Sequence, residues 1–396
     1  MPTPKPAPKP KQLDNPLLIL IFGLLGFGIV MQFSTSYVTY PDDPYRLIIR
    51  HLIMVTLGLI FMFLFMQIDY HILKEWAVPI MGVALALLVV TILYAKTGVG
   101  GARRQLINGS IQPSEVAKLA IFIYIATWLA SKEKKLDQVT LGLLPFSVLL
   151  GIFVTAILFQ PDISTSILIV LTAVAMLIIA GADLSQIAIL LGVMALVFAF
   201  AIFQHSYALE RITEFQQSFA APWNSPDTQV RSGYEALHRG GLFGKGLGNS
   251  IYKIHGSGLS VAHSDSIFAV VGEELGVWGA LSVIGAFLFL AYRGTHIALN
   301  AKDSFGRLLA FGITTWIVLQ AFINIAVVTV TIPNTGIPLP FISYGGSSLV
   351  TILAALGILL NISKEGHSRF NIYADHPFWR RDRRSRVPRS NRRRSR

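Results

Sequence analysis

The residues able to do chemistry gather where polar loops turn into very apolar stretches. In HSDSIFAVVGEELGVW, residues 263–278, Asp265 stands at the mouth of an apolar helix, and Glu273 and Glu274 lie two turns inside it. Carboxylates at or below a membrane surface are costly unless paired or facing water, so they mark a functional site by default. The plainer reading of Asp265 alone is an acid that complements the macrodipole of a helix start. In the functional reading, Asp265 is an acid of that site.

Other stretches offer complementary groups. GVGGARRQLINGSIQPSEVAK is a Gly-rich basic loop carrying Arg104 that enters a helix at Pro113 and Ser114, and Glu115 and Lys118 then share a face at i, i+3 spacing. FQPDISTS starts a helix at Pro161 with Asp162 in its first turn, where a capping acid is the simplest explanation. RGGLFGKGLGNSIYK, with Lys245 and Lys253, is rich in glycine and basic residues, as suits close approach to an anion or a flexible connector. TIPNTGIPLPFISYGGSSL holds three prolines within eight residues, which preclude regular helix; Ser343 to Ser348 then reads as a helix start. Non-helical backbone this near a bilayer is tolerated only when buried in protein or lining a wet cavity, so this segment is expected to be re-entrant or cavity-lining.

The elements that position these groups follow from composition. With 53% hydrophobic and 14% charged residues, the chain is far more apolar than a soluble one of about 25% charged residues. It reads as an all-α integral membrane protein. Apolar stretches long enough to span fall near 17–33, 47–66, 76–95, 114–130, 142–159, 163–180, 185–204, 266–292, 306–330 and 343–362, about ten transmembrane helices. The apolar run 141–180 is too long for one span and must fold into a hairpin at Pro161. Residues 205–265 form a large loop between helices 7 and 8. Within it Leu209, Ile212, Phe215 and Phe219 recur at helical spacing among Glu210, Arg211 and Glu214, which suits a helix lying on the membrane surface. The absence of cysteine excludes disulfides, thiolate metal sites and cysteine nucleophiles.

The ends are different. Residues 1–15 alternate Pro with Lys and read as a disordered arm, not a cleavable leader; 16–362 form the membrane domain; 363–396 form an Arg-rich disordered tail. Lys and Arg near the span ends, with eleven arginines in the tail, favour both termini on the cytoplasmic side. The large loop, residues 96–113, the Pro161 turn and residues 331–342 then share the outer face, and every motif above lies there.

GARR with IQPSEVAKLA, FQPDISTS, HSDSIFAVVGEELG and NTGIPLPFISYGGSSL, in this order and at these spacings, closely resemble the signature segments of the SEDS family (shape, elongation, division and sporulation), over residues 15–362. GGLFGKGLGNSIYK is more similar to its division-type members than to its elongation-type ones. The resemblance implies a peptidoglycan glycosyltransferase of the bacterial cytoplasmic membrane that polymerises lipid II on the outer face. It also implies a class B penicillin-binding transpeptidase as partner, among other divisome or elongasome membrane proteins, and no role for nucleic acid. It makes Asp265 the catalytic acid and places Lys118, with Glu115, in the same cavity. Where relatives read RRW or KRW, this chain has Arg103, Arg104 and Gln105, so an aromatic contact in the outer loop is missing.

The chemistry needs a base for a sugar hydroxyl and positive charge where a lipid diphosphate departs. Lys118, Arg104, Lys245 and Lys253 are the candidates for that charge, and Glu274 for orienting the helix or shaping the cavity. A divalent cation, Mg or Mn, could share the task, although no metal-ligand cluster is evident in the sequence. Two other classes fit parts of the pattern: a transporter or flippase for lipid-linked precursors, which would place its charges at span centres, and a non-catalytic division scaffold.

Overall fold

The computed structural model describes residues 13–39, 45–94, 112–132, 144–204, 206–253, 259 and 264–365. The Pro/Lys arm up to residue 12, Arg103, Arg104 and Gln105, and the arginines of the tail lie outside the described residues.

Among the described residues the regular structure is helical. The helices are α1 (Asn15–Thr39), α2 (Arg46–Gln67), α3 (His71–Glu75), α4 (Ala77–Tyr94), α5 (Pro113–Lys132), α6 (Leu144–Leu158), α7 (Ile163–Ala180), α8 (Leu184–Gln204), α9 (Ser206–Ala220), α10 (Thr228–Gly240), α11 (Ile267–Leu299), α12 (Ser304–Val328) and α13 (Gly346–Glu365). Nine of these are long and apolar enough to cross a membrane, and α6 is a shorter apolar helix of 15 residues. These account for the expected spans. The α6–α7 hairpin turns at Gln160 and Pro161; Asp162 is the N-cap of α7 rather than a residue of its first turn, and its Oδ1 accepts from Thr165 N at 3.3 Å.

The interior lies among α5, α7, α12 and α13, whereas α4 and α8 leave most of their surface open, as lipid-facing helices do. Close backbone approach sets the centre: a Cβ on Gly357 of α13 would overlap the Met62 carbonyl of α2, and one on Gly58 would strike Leu353. One end of the bundle is tied by Arg293 to Asp14 (Nη2–Oδ2 2.5 Å), Lys364 Nζ to the Met66 carbonyl (2.7 Å) and Tyr70 to Asp303 (2.5 Å). α13 continues to Glu365, with Lys364 in its last turn. The opposite end carries the motif residues.

Among its described residues the large loop holds two α-helices and a short 3-10 turn at Pro222–Asn224. α9 matches the amphipathic stretch. α10 is one the apolar spacing does not announce; its N-cap is Asp227, whose Oδ1 accepts from Gln229 N (2.8 Å) and Val230 N (3.3 Å), and it stops at Gly241, which has a positive φ of 57°.

Candidate active site

α11 is two helices joined at Gly276, whose φ of 68° and ψ of −164° break the hydrogen-bond ladder. At the outer end Asn324 Nδ2 donates to the Asp265 carbonyl (2.7 Å), and further down a Cβ on Gly294 would overlap the Thr314 hydroxyl. Along a straight helix Asp265 and Gly294 would stand about 43 Å apart, whereas Asn324 and Thr314 are about 15 Å apart on α12, at about 1.5 Å per residue. The outer half, Ile267–Leu275, is therefore laid across the outer end of the bundle, with Asp265 over α12 and Glu274 over α1.

α10 runs parallel beside that outer half. Gly233 faces Ala269, Leu237 covers Gly272, and a Cβ on Gly240 would overlap the Gly272 carbonyl. At the near end Gln229 Nε2 donates to Asp265 Oδ1 (3.1 Å) and to Ser266 Oγ (2.7 Å). Asp265 is half-buried. Burial pushes its carboxyl above the ordinary carboxylate range and Asp227 adds to this; the Gln229 hydrogen bond and the Arg211 charge pull the other way without cancelling it. A carboxylate so placed has more proton affinity than a solvated one, as a general base requires.

The segment 331–345 is non-helical and its second half is buried between the helices, with Ile337, Leu339, Phe341 and Ile342 all inside, in agreement with the expectation of irregular backbone buried in protein. Two amides one turn apart on α12 grip it. Asn324 Nδ2 donates to the Ile337 carbonyl (2.8 Å) as well as to Asp265, and Gln320 Nε2 donates to the Pro338 carbonyl (3.1 Å). α13 begins at Gly346, inside the stretch 343–348 expected to start a helix, but Ser343 itself lies before it. Instead its hydroxyl donates to the Ser264 carbonyl (2.5 Å) and accepts from Leu339 N (2.8 Å), pinning the segment to the residue before Asp265.

Lys118 lies deeper. Its ammonium stands 3.0 Å from Glu115 Oε2, off the axis of a hydrogen bond, donates to Gln320 Oε1 at 3.1 Å and lies 5.2 Å from the Trp316 ring centre. Both members of the pair are buried, so Lys118 meets the site through Gln320 and the Pro338 carbonyl. Asp162 is buried as well, its Oδ2 accepting from Gln112 Nε2 at 3.4 Å, while Gln112 N donates to Ser347 Oγ at 3.1 Å.

Glu273 and Glu274 hold the Gly-rich segment. Glu273 accepts from Arg239, from the Ser250 hydroxyl and from Ile251 N (3.2 Å). Glu274 pairs with Lys253 (2.7 Å) and accepts from Ser34 of α1 (2.7 Å). Lys253 is thus an internal counter-ion, whereas Lys245 is exposed. Arg104 lies outside the described residues. Among the described residues no three His, Asp or Glu side chains converge as a metal site would need.

What Asp265 faces is a cleft walled by the outer loop. Gln229, Val230, Gly233, Val327, Val328 and Asn334 surround it, and Gln229 and Asn334 also line an adjoining polar cleft of about 340 Å³ with Glu210, Arg211, Glu214 and Asp227 that is open to solvent. Arg211 Nη1 donates to the Asn334 carbonyl (2.7 Å), closing α9 onto the 331–345 segment. Gln229, Arg211, Gln320, Asn324 and Asn334 are absent from the residues expected from sequence. The signal for two of them was present: Gln320 and Asn324 are amides at i, i+4 inside an otherwise apolar span.

Comparison with known proteins places this architecture. The family model of the FtsW, RodA and SpoVE proteins, described as cell cycle proteins, matches residues 15–368. A probable peptidoglycan glycosyltransferase FtsW from Geobacter sp. strain M18 is 37% identical over 364 residues, covering 88% of this chain and 96% of its own length. The stage V sporulation protein E of Bacillus subtilis is 38% identical over 373 residues, covering 90% and 98%. A solved peptidoglycan synthase complex that coordinates polymerization and crosslinking contains a chain of the same fold, with a TM-score of 0.72 at 24% identity over 90% of this chain and 98% of that one. Thermus thermophilus RodA superposes with a TM-score of 0.65 at 23% identity, over 90% and 98%. The chain belongs to the SEDS family of FtsW, RodA and SpoVE proteins and resembles FtsW and SpoVE at higher identity than RodA.

Proposed function

We propose that this protein is a peptidoglycan glycosyltransferase that polymerises lipid II into glycan strands at the outer face of the cytoplasmic membrane, with Asp265 as general base. The observation that carries the reading is the Asp265 carboxylate itself. It is held by Gln229 at the outer end of the bundle, raised in proton affinity by burial, and faces a narrow cleft that adjoins the larger, solvent-open one walled by Gln229 and Asn334. The acceptor sugar hydroxyl gives its proton to Asp265 as its oxygen bonds to the anomeric carbon of the donor. The bond from that carbon to the lipid diphosphate breaks, and the diphosphate leaves with the electron pair.

Positive charge for the departing diphosphate comes from Arg211 on the cleft wall, with Arg104 a further candidate; Lys245, bonded through its backbone to the Glu273 carbonyl at the far end of α10, stands away from Asp265. Lys118 and Lys253 serve by neutralising Glu115 and Glu274, which keeps the surrounding backbone in place. Crowding of the determinants at one end of the bundle favours surface chemistry over passage between the leaflets, and so over a flippase. Both termini are assigned to the cytoplasm, since Asp14, Arg293 and Lys364 share the end opposite Asp265. A class B penicillin-binding transpeptidase is the expected partner. Incubating the purified chain with lipid II, alone and with such a transpeptidase, tests the reading: glycan polymer is expected, and its absence in both cases, with intact protein, overturns it.

A further inference from the structure

The turn Gly241–Gly248 presents an apolar edge where α11 breaks. Leu242, Phe243 and Leu247 are 62%, 82% and 54% exposed, and beside them Val277 and Trp278 of α11 are 43% and 63% exposed. In a loop on the outer face such an edge has to be covered, and its surroundings say by what.

The turn's polar backbone is directed inward. Lys245 N donates to the Glu273 carbonyl, Gly246 N to the Glu274 carbonyl and Gly244 N to the Gly240 carbonyl, each at 2.9 Å, and Val277 N donates to the Gly241 carbonyl at 2.9 Å. Asn249 closes the turn, with its N donating to the Gly246 carbonyl (3.2 Å) and its Nδ2 to the Lys245 carbonyl (3.1 Å). Gly244, at φ 79°, fits only without a Cβ, which would overlap the Glu274 carbonyl. Irregular backbone at a membrane needs its polar groups satisfied, and the bonds above do this for the N–H groups of Gly244, Lys245 and Gly246, leaving the side chains of Leu242, Phe243 and Leu247 outward.

Depth follows from α11. From Val277 to Leu299 the spanning half is about 34 Å long at about 1.5 Å per residue, close to the hydrocarbon core of about 30 Å. Val277 therefore stands at the outer edge of the core, where an exposed Trp278 belongs to the interfacial aromatic belt. The turn is bonded to that level, and its edge continues the lipid-facing surface of α11 through Val277, Trp278 and Leu281.

We propose that Gly241–Gly248 is a membrane anchor, inserting Leu242, Phe243 and Leu247 among the acyl chains of the outer leaflet while exposed Lys245 reaches back to lipid phosphate. The anchor fixes the far end of α10, whose near end carries Gln229 against Asp265, so the cleft wall is seated on the lipid surface from which a lipid-linked substrate arrives. This placement does not depend on Asp265 being the base.

The chain has no cysteine, so a single introduced one labels uniquely. Full-length Phe243→Cys and, separately, Leu247→Cys carry a nitroxide in nanodiscs of phosphatidylethanolamine and phosphatidylglycerol, with Leu288→Cys on the lipid face of α11 as reference. Collision with oxygen is expected to exceed collision with a water-soluble nickel chelate by severalfold at 243 and 247, as at 288. Nickel collisions dominating at both sites overturn the proposal, as does protection from nickel that arises only when a transpeptidase is added, which would make the edge a protein interface.

Discussion

Lys118 and Glu115 offer a prediction whose size the structure sets. Replacing Lys118 by Met keeps the bulk and removes the charge, leaving Glu115 as a carboxylate buried without its cation. Breaking a buried pair from one side costs about 3–5 kcal/mol, because the remaining charge stays desolvated. Gln320 is not orphaned by the change, since Trp316 Nε1 still donates to its Oε1 at 3.0 Å. The lost contact with the Trp316 ring adds at most about 2 kcal/mol. Glu115→Gln, conversely, leaves the ammonium with Gln320 alone, and a cost of about 3 kcal/mol is expected at the low end of the same range. The double variant holds no buried charge, so it should be less destabilised than the sum of the singles by about 2–4 kcal/mol, the coupling of the pair. Unfolding of the purified chain in mixed micelles by added dodecyl sulfate, followed by tryptophan fluorescence, gives the three values. Additive effects, or single variants each within about 0.5 kcal/mol of the parent as at an ordinary surface site, would refute the reasoning. Polymerisation should fall with either single variant and be untouched by exposed Lys74→Ala.

Gly276→Ala adds a Cβ against the Gly244 nitrogen and Leu242 carbonyl at a positive φ; a loss of at least about 2 kcal/mol and a lower melting temperature by size-exclusion fluorescence are expected. Asp162→Asn keeps an oxygen for Thr165 N, so helix-end stability should drop by about 1 kcal/mol or less while only part of the polymerisation rate is lost. Because the Asp265 carboxyl is raised in the folded chain, polymerisation should rise with pH along an acid limb above the carboxylate range of about 3.9, and Gln229→Leu, which removes a hydrogen bond to the charged form, should move that limb higher. A raised carboxyl favours the folded state below its unfolded pKa and loses that contribution as pH rises through the folded value; Asp265→Asn should therefore be no less stable than the parent at neutral pH in the same unfolding assay. A chain ending at Glu365 should insert and polymerise normally, with activity unchanged in the lipid II assay.

The spans were legible because a bilayer demands long apolar stretches, and the hairpin at Pro161 because one of these was too long. Asp265 and the Glu115–Lys118 pair were legible as charges at costly positions. What sequence could not convey is direction. Lys118 and Lys253 read equally well as substrate-facing cations or as internal counter-ions, and the partners that bury them, Gln320 and Glu274, are not visible as such in the sequence. α10 escaped because its small buried face, Ser232, Gly233, Ala236 and Gly240, gives no hydrophobic stripe, although Asp227 and Gly241 cap it at either end. The break in α11 escaped for a related reason: Gly276 sits in an apolar run where glycine is common, and the partners that stabilise its conformation come from residues 241–246.

Whether Asp265 takes the proton is the claim on which the rest depends, and one comparison addresses it. Parent and Asp265→Asn are purified in the same lipid, shown to fold and bind lipid II equally, and assayed for glycan polymer. The account predicts full binding with no polymer from the variant, since asparagine keeps the shape and the Gln229 contact but cannot accept the proton. Polymer formed by Asp265→Asn at the parent rate would contradict it.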